Sequence, residues 1–257
     1  HNFKIITSDH GGIYGNGCRT YDYDLNISDL NIKSGNTNKK KQITLPSLFL
    51  DKENLNLNLN KNILIICHDT SKYPRYFLTG PISEQIVYQF EQIKLFMKNL
   101  NKTFNNKIFI RPYTVTSGWN LTEKYKGLVK KNNIVLSNSI YQQLKNKSFI
   151  KIVTYPKTAY LESLITGPTF LLFNRKHYFD TKLNEKFMNI LFKNKLAFEN
   201  GKDLAIHIKN IESNINEWWY KKKIQESINL FLSNTCKYNN EATKIWARTL
   251  NKKLDKF

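Results

Sequence analysis

The sequence predicts an α/β fold, a Rossmann-like parallel sheet flanked by helices, with a helical C-terminal tail. Apolar runs typical of buried strands alternate repeatedly with helical patterns between residues 62 and 173. Strands that alternate with helices pair in parallel through right-handed crossovers. After about residue 184 the apolar spacing is helical, and the 40% hydrophobic content of the 257 residues is enough for a packed core.

The predicted strands are short apolar runs, and the predicted helices have apolar residues in steps of three and four. The first run begins at Asn62 and continues to Cys67, as expected of a strand buried on both faces. Gly80-Pro81 opens a helix that extends to Leu100, because Pro suits a first helical turn. Further strands are predicted at 107–110, 133–136, 149–153 and 169–173, and further helices at 140–144 and 158–165. In the tail, helix faces are marked by Ile224, Ile228 and Phe231 and by Trp246, Leu250 and Leu254.

The first 61 residues are organised differently. Residues 1–35 contain one apolar strand at 3–7, a glycine loop and an acidic, aromatic stretch. Residues 36–61 are interpreted as a connector to a domain that covers residues 62–257. A loop of functional character so close to the first residue suggests that an upstream part of a longer protein is missing.

The charge of the chain narrows its function classes. The formal net charge is +20, from 40 Lys and Arg against 20 Asp and Glu, which would suit a polyanion such as nucleic acid. Only five of these cations are Arg, the residue that base readout and bidentate phosphate binding favour. Because the Lys residues are spread along the whole chain, a solvated basic surface is a better interpretation than a nucleic-acid footprint. Such a surface still suits anionic small ligands or anionic membrane lipids.

Other compositional features concern the cell compartment. No apolar run approaches the roughly 20 residues of a membrane helix, and no signal peptide is recognisable. The three cysteines form no CxxC pair, which argues against a zinc site or a disulfide framework. We therefore expect a cytoplasmic protein that uses neither a metal nor another cofactor.

The run from Asp9 to Gly15 carries the first candidate chemistry. It reads Asp-His-Gly-Gly-Ile-Tyr-Gly and directly follows the first predicted strand. Glycines let a ligand approach the backbone closely, and ligands of open α/β sheets bind at strand carboxyl ends. His10 would be a catalytic base or a hydrogen-bond donor to an anionic ligand. The alternative is a turn histidine that donates to a backbone carbonyl.

Arg111-Pro112 ends the second strand of the regular domain. As one of only five arginines, Arg111 could hold a phosphate or carboxylate with its planar fork, or pair with a surface carboxylate instead. Trp119 follows in the same loop. It could stack on a base or sugar, or belong to the core or a lid.

The segment from Thr154 to Thr158 joins the fourth strand to its helix. Thr158 suits the N-cap of that helix, whose first-turn N–H groups and dipole would form an anion site that includes Thr154 and Tyr155. Glu162 lies one turn further along the same face and could accept hydrogen bonds from ribose hydroxyls. The alternative is ordinary capping with an acidic residue that complements the helix dipole.

Trp218-Trp219 is a conspicuous pair in the helical tail. Adjacent residues on a helix point about 100° apart, so the two rings face different surroundings. We expect packing rather than a ligand contact, with one ring in the core and the other at a seam between domains.

In their order along the chain, these residues resemble the C-terminal portion of a transferase family linked to bacterial surface-carbohydrate biosynthesis. That family is similar in architecture to GT-B glycosyltransferases. The resemblance covers nearly the whole chain. It rests on His10-Gly11-Gly12-x-Tyr14-Gly15, an acidic stretch that ends near Asp29, Arg111-Pro112, Gly118-Trp119, Thr154-Tyr155-x-x-Thr158-x-Tyr160-Leu161-Glu162, Pro168-Thr169, Trp218-Trp219 and Trp246.

The resemblance implies two Rossmann-like domains that face each other across a cleft, with residues 1–35 as the end of the first domain. A nucleotide-sugar donor would lie mostly against the second, C-terminal domain. Its phosphates would meet Thr158 and Arg111, and Glu162 would hold the ribose. His10 would line the cleft from the opposite domain, with Gly11, Gly12 and Tyr14 in the same loop.

Two positions depart from the pattern of the family. Asp9 replaces a neutral residue before the histidine, and a neighbouring carboxylate would raise the pKa of His10. The expected tryptophan-glycine element is present only as Ser34-Gly35.

The predicted function is transfer of a sugar from a nucleotide donor to a glycan or lipid-linked acceptor that is a surface-glycan precursor. The chain would act in the cytoplasm, with peripheral contact to an anionic membrane and without specific nucleic acid. The alternatives are a nucleotide-sugar epimerase on the same fold and a basic module that binds nucleic acid or a membrane surface.

Overall fold

A computed structural model describes residues 3–9, 20–37, 40–48, 50, 60–73, 81–100, 104, 107–113, 118–178 and 182–254. These residues form two parallel sheets. The smaller sheet has the order β1-β2-β3 and the larger one the order β5-β4-β6-β7-β8. The strands are β1 (Ile6–Ser8), β2 (Leu30–Lys33), β3 (Gln42–Thr44), β4 (Asn60–Ile66), β5 (Ile108–Arg111), β6 (Ser148–Val153), β7 (Thr169–Leu172) and β8 (Ala197–Phe198).

Helices connect the strands and cover both faces of the larger sheet. They are α1 (Thr20–Ile27), α2 (Gln85–Asn99), α3 (Leu121–Lys126), α4 (Asn138–Lys147), α5 (Thr158–Ile165), α6 (Lys182–Lys193), α7 (Gly201–Ile211), α8 (Ile215–Trp219), α9 (Lys222–Thr235) and α10 (Ala242–Leu254). No helix among the described residues has the length and apolar character needed to span a bilayer. The α/β prediction, with a parallel sheet and a helical C-terminal region, is confirmed.

The core forms two apolar layers, one on each face of the larger sheet. Side chains of β4 alternate between them: Ile63 and Ile65 enter one layer, and Leu64 and Ile66 enter the other. Helices α2 and α7 contribute to the layer that contains Ile63, and α5, α6 and α9 contribute to the layer that contains Leu64. A strand buried on both faces must be continuously apolar, which is why β4 was the clearest strand in the sequence.

The predicted strand at 133–136 is wrong. Residues Lys131–Asn133 form a 3-10 turn, and Ile134 makes only an isolated bridge to Ile110 of β5. The carbonyl groups of Val135 and Leu136 accept hydrogen bonds from the side chain of Arg111. The Arg111 side chain therefore binds carbonyl groups that strand pairing would otherwise use. The pairing of this segment with β5 ends after one bridge.

Three strands were missed from the sequence, namely β2, β3 and β8. They are only two to four residues long, and β2 alternates apolar and polar residues, although all four of its residues are buried. β3 lies inside the segment interpreted as a connector. Such short runs lack the periodicity that distinguishes a strand from a loop.

The helical tail returns to the smaller sheet. Leu30, Ile32 and Leu45 form a small core against α10, and Trp246 Nε1 donates a hydrogen bond to the Pro46 carbonyl at 2.8 Å. At the end of α9, the Lys237 N–H donates to the Ser34 carbonyl at 2.7 Å. The backbone approaches Gly35 so closely that a Cβ there would lie 2.7 Å from the Thr235 carbonyl oxygen. The Ser34-Gly35 element is thus a packing contact for α9.

The tryptophan pair of α8 packs in the core. Trp219 is buried in the layer with α9, and Trp218 stacks on Phe170 of β7 with ring centroids 5.5 Å apart. Trp218 packs against the core layer that contains Ile63, and its ring centroid lies 5.1 Å from that of His207. Both rings therefore pack in the core around the larger sheet.

Lys151 is a fully buried lysine in the middle of β6. Its Nζ donates to the Thr166 carbonyl at 3.0 Å, beyond the last turn of α5. Burial, together with the charge of Lys145, lowers the pKa of Lys151 to about 7.

We expect the stability of the protein to rise with pH because of Lys151. Between pH 7 and 8.5 the unfolded chain still holds a proton on this lysine and the folded chain does not, so the free energy of unfolding increases with pH. Relative to Lys151→Met, wild type should gain about 1 to 2 kcal/mol over this interval. Urea denaturation at both pH values measures the gain, with exposed Lys98→Met as control. Parallel pH profiles for wild type and Lys151→Met would contradict the assignment.

Candidate active site

The strand order predicts a ligand-binding crevice at the carboxyl ends of β4 and β6. The chain passes from β4 to β5 on one side and then to β6 on the other side of β4, so the connections leave in opposite directions. Ligands of open α/β sheets bind at the carboxyl ends of strands at such a switch point. All strands of this sheet are parallel, so the loops after β4, β5 and β6 meet at one edge.

Thr154 joins the ends of the two central strands. Its hydroxyl accepts a hydrogen bond from the His68 N–H at 2.9 Å and donates to the Ile66 carbonyl at 3.2 Å. Its carbonyl accepts a hydrogen bond from Gln89 Nε2 of α2. Thr154 is fully buried, so its contribution is to hold the crevice floor. Its predicted contact with a ligand stays a prediction.

His68 lies at the switch point and was missed by sequence reasoning. Its ring lies 4.9 Å from the Tyr155 ring and 5.8 Å from the Tyr113 ring, measured between centroids. Burial, together with the charge of Lys157, lowers the pKa of His68 to about 4, so the imidazole is neutral at pH 7. The signal for this residue was its place just after the longest buried strand.

Arg111 is buried at the end of β5. Its guanidinium donates to the Val135 carbonyl at 3.0 Å, to the Leu136 carbonyl and to Asn138 Oδ1 at the start of α4. These described acceptors are neutral, so the hydrogen bonds fix the side chain without cancelling its positive charge. The alternative of a surface ion pair does not describe this buried arrangement.

Tyr141 of α4 brings Arg111 and Glu162 into one environment. Its ring lies 5.1 Å from Arg111 Cζ and 5.9 Å from Lys145 Nζ. Burial raises the pKa of Tyr141, Glu162 raises it further, and Arg111 opposes them. Lys145 Nζ lies 3.4 Å from Glu162 Oε2, so this half-buried carboxylate already has one cationic neighbour.

The start of α5 differs from the prediction in one respect. The N-cap is Lys157, with extended backbone and no capping side-chain hydrogen bond, and Thr158 is the first helical residue. The Lys157 carbonyl accepts a hydrogen bond from the Tyr160 N–H at 2.9 Å, so the helix begins one residue earlier than predicted. Because a lysine side chain has no acceptor, the cap leaves the positive end of the helix dipole uncompensated by a side chain.

The structure therefore collects several predicted residues at one edge of the larger sheet. We call the whole group the switch-point cluster. Three of its side chains are cations and only one is a carboxylate, a balance that attracts anions. Its aromatic rings could also pack against a planar base or a sugar of a ligand. The cluster consists of His68, Arg111, Tyr113, Tyr141, Lys145, Thr154, Tyr155, Lys157, Thr158 and Glu162.

A cavity of about 480 Å³ lies next to this cluster, on the β7 side of the same edge. Its walls include Pro156 before α5, Phe173 after β7, and Arg175 and Tyr178. Cavities of several hundred Å³ are the usual size for small-molecule ligands.

Trp119 is partly buried against the core layer of α2. Lys72 Nζ lies 5.7 Å from its ring, and its Nε1 is buried without a hydrogen-bond partner among the described residues. Gly118 before it has φ +88°, which a residue with a side chain rarely adopts. The core alternative fits these contacts, and stacking on a ligand stays a prediction.

The predicted residues His10, Gly11, Gly12 and Tyr14 lie outside the described residues. Asp9, directly before them, is described and makes two polar contacts through its carboxylate. Its Oδ1 lies 2.8 Å from Lys33 Nζ, and its Oδ2 accepts from the Ser34 N–H at 2.9 Å. Burial raises the pKa of Asp9, and Lys33 and Ser34 oppose it. Asp9 therefore anchors the start of the loop to β2, and its charge is matched by Lys33.

Metal independence stays a prediction from the sequence. In the part of the chain that the structure describes, no three His, Cys, Asp or Glu side chains are grouped closely enough to hold a metal ion.

Comparison with known proteins adds two findings. A family model described as LIC12162 family transferase matches residues 1–250. Solved structures of the wall teichoic acid polymerase TagF are similar to this chain. A histidine-to-asparagine variant soaked with CDPG for 30 minutes has TM-score 0.50 and 15% identity, covering 98% of this chain and 68% of that chain. A second structure of the same variant has TM-score 0.48 and 14% identity, covering 96% of this chain and 65% of that chain.

At 15% identity the likeness to TagF shows the fold alone. That likeness agrees with the two parallel sheets flanked by helices that this chain forms. No curated protein matches the chain.

We expect Asp9→Asn to destabilise the protein strongly. The substitution leaves the Lys33 ammonium buried without its carboxylate, which costs about 3 to 5 kcal/mol. The paired replacement Asp9→Leu with Lys33→Met should retain more stability than the single change, because no charge stays buried. Urea denaturation compares the variants, with the exposed Glu91→Gln as control. A paired variant less stable than Asp9→Asn would contradict this account.

Proposed function

The chain belongs to the LIC12162 family of transferases, and we propose that it transfers a sugar from a nucleotide donor to a surface-glycan precursor. The family match agrees with the ordered motifs that resembled such a family in the sequence. It favours a transferase over the epimerase alternative and over a module that only binds polyanions.

The observation that carries the proposal is the excess of positive charge at the switch point. Arg111 is fixed by neutral acceptors and keeps its charge, and Lys157 begins a helix whose positive end has no side-chain cap. The phosphates of a nucleotide donor carry the negative charge that these cations and the helix end would attract. Open α/β folds bind their ligands at the carboxyl ends of strands, which supports the same location for the donor.

The neighbouring cavity would take the nucleoside part of the donor. It adjoins Pro156, at the start of the loop into α5, and has the volume of a small-molecule pocket. Glu162 would accept hydrogen bonds from ribose hydroxyls, in exchange with its contact to Lys145.

Catalysis would rest on positioning and on stabilising the departing nucleotide phosphate. Arg111 would provide charge that is already oriented before the donor binds, so little reorganisation accompanies the reaction. His10 would act near the acceptor or the leaving phosphate, at the loop that Asp9 anchors. The acceptor would be a glycan or a lipid-linked precursor.

The location of the reaction follows from the acceptor. We expect the protein to act in the cytoplasm at the inner face of the membrane, where its net charge of +20 favours anionic lipids.

Donor binding provides the first test. Calorimetric titration with UDP, GDP, CMP and dTDP compounds should find at least one ligand, and CDP belongs in the panel because a similar solved structure was soaked with CDPG. Arg111→Ala and Glu162→Ala should each weaken that binding about 10-fold or more, the usual loss for hydrogen bonds to charged groups.

The control is Asn138→Ala, which removes one acceptor of Arg111 and keeps the cation. It should bind more like wild type than Arg111→Ala does. Absence of binding to every compound would overturn the proposed donor site, and unchanged affinity in both alanine variants would remove Arg111 and Glu162 from it.

Metal removal provides a second test. We expect transfer to continue at the same rate in EDTA, because charge stabilisation would come from Arg111, Lys145 and Lys157. Product formation is measured before and after chelation, with the same buffer lacking EDTA as control. Loss of activity that Mg²⁺ restores would contradict metal independence.

A further inference from the structure

His68 occupies the central position of the crevice but has no part in the proposed function so far. Its N–H is held by the Thr154 hydroxyl at 2.9 Å, so the backbone of this residue is tied to both central strands. The rings of Tyr155 and Tyr113 contact its imidazole, which limits the orientations of the side chain. The histidine is therefore rigidly presented at the point where the strand order reverses.

One polar atom of this side chain is unsatisfied. Nδ1 of His68 is buried and has no hydrogen-bond partner among the described residues. A buried polar atom without a partner has lost its hydrogen bonds to water without replacement, and such atoms are a small minority in native structures. Because His68 lies at the strand ends where open α/β folds bind their ligands, a ligand atom is the natural partner of Nδ1.

We propose that His68 binds a phosphate oxygen of the donor through Nδ1–H. This inference rests on the proposed function and assigns the donor a contact that the sequence motifs did not predict. The charges favour a phosphate because Lys157 lies close to the imidazole and Arg111 lies on the same strand edge. The only carboxylate of the switch-point cluster, Glu162, is next to Lys145. The uncapped positive end of α5 adds to the preference for an anion.

The protonation of His68 would change with the ligand. In the free protein the neutral form is favoured by burial and by Lys157. The other groups that face it are the phenols Tyr113 and Tyr155, and Asp69 follows it in the chain, with Oδ1 bonded to the Thr70 N–H at 2.8 Å. A bound phosphate places negative charge beside the imidazole and raises its pKa, so binding takes up protons at a pH close to the raised pKa.

The chain contains a matched control. His207 of α7 is also a largely buried histidine whose pKa burial lowers to about 4, and its Nε2 has no partner among the described residues. Its ring packs against Phe170, Phe198 and Trp218, in the aromatic core of the larger domain. It therefore shares the chemistry of His68 without its place at the strand edge.

The test uses the 257-residue chain with inorganic pyrophosphate and CDP as probes. We expect His68→Phe to weaken the binding of both probes about 10-fold, because a hydrogen bond to a charged group is lost. His68→Asn should recover most of the affinity, since its amide nitrogen replaces Nδ1 as donor. His207→Phe should bind both probes like wild type. Calorimetry in two buffers of different ionisation enthalpy should show proton uptake in wild type that disappears in His68→Asn.

A measurement on the unaltered protein covers the case in which the variants fail to fold. In long-range ¹H–¹⁵N spectra, the Nδ1 resonance of His68 should shift when pyrophosphate is added, and that of His207 should not. Equal probe affinity in wild type and folded His68→Phe, or an Nδ1 resonance that does not move at saturating pyrophosphate, would overturn the proposal and leave the proposed function intact. If neither probe nor any nucleotide binds wild type, the proposed function itself fails, and this contact fails with it.

Discussion

The hydroxyl of Thr154 is the interaction on which the crevice depends. It bonds to the backbone after β4 and to the last carbonyl of that strand, while its own carbonyl is held from α2. A buried hydroxyl with both donor and acceptor satisfied fixes two strand ends more firmly than the parallel ladder alone. This contact holds the backbone of His68 beside the start of the loop into α5.

Arg111 shows how a charge can be prepared for a ligand and still be part of the scaffold. Its hydrogen bonds to two carbonyls and one amide replace the strand that the apolar residues after Asn133 would otherwise form. Because those acceptors are neutral, the positive charge is oriented but not cancelled. The same bonds hold the start of α4, which carries Tyr141 and Lys145. Scaffold and electrostatics at this edge are therefore one arrangement.

The helical tail links the two sheets. α9 packs in the core of the larger domain, and the residues after it bond to the backbone after β2, close to the buried pair of Asp9 and Lys33. α10 then covers the smaller sheet with Trp246. Asp9 is thereby connected through packed elements to the sheet that carries the switch-point cluster.

The sequence by itself determined the longer elements that form the core on the two faces of the larger sheet. β4, β6, β7 and the helices α2, α5 and α9 were predicted because a two-sided core demands continuous apolar runs or a regular apolar stripe. It also identified Arg111, Thr154 and Tyr155 as polar residues at strand ends, and Glu162 as a carboxylate on the helix that follows. Only the tertiary structure decided the strand order, and with it the central place of His68, because a switch point depends on which strands are neighbours. The same holds for β2, β3 and β8, which are too short to carry a periodic signal, and for the orientation of Arg111, whose acceptors come from more than 20 residues further along the chain.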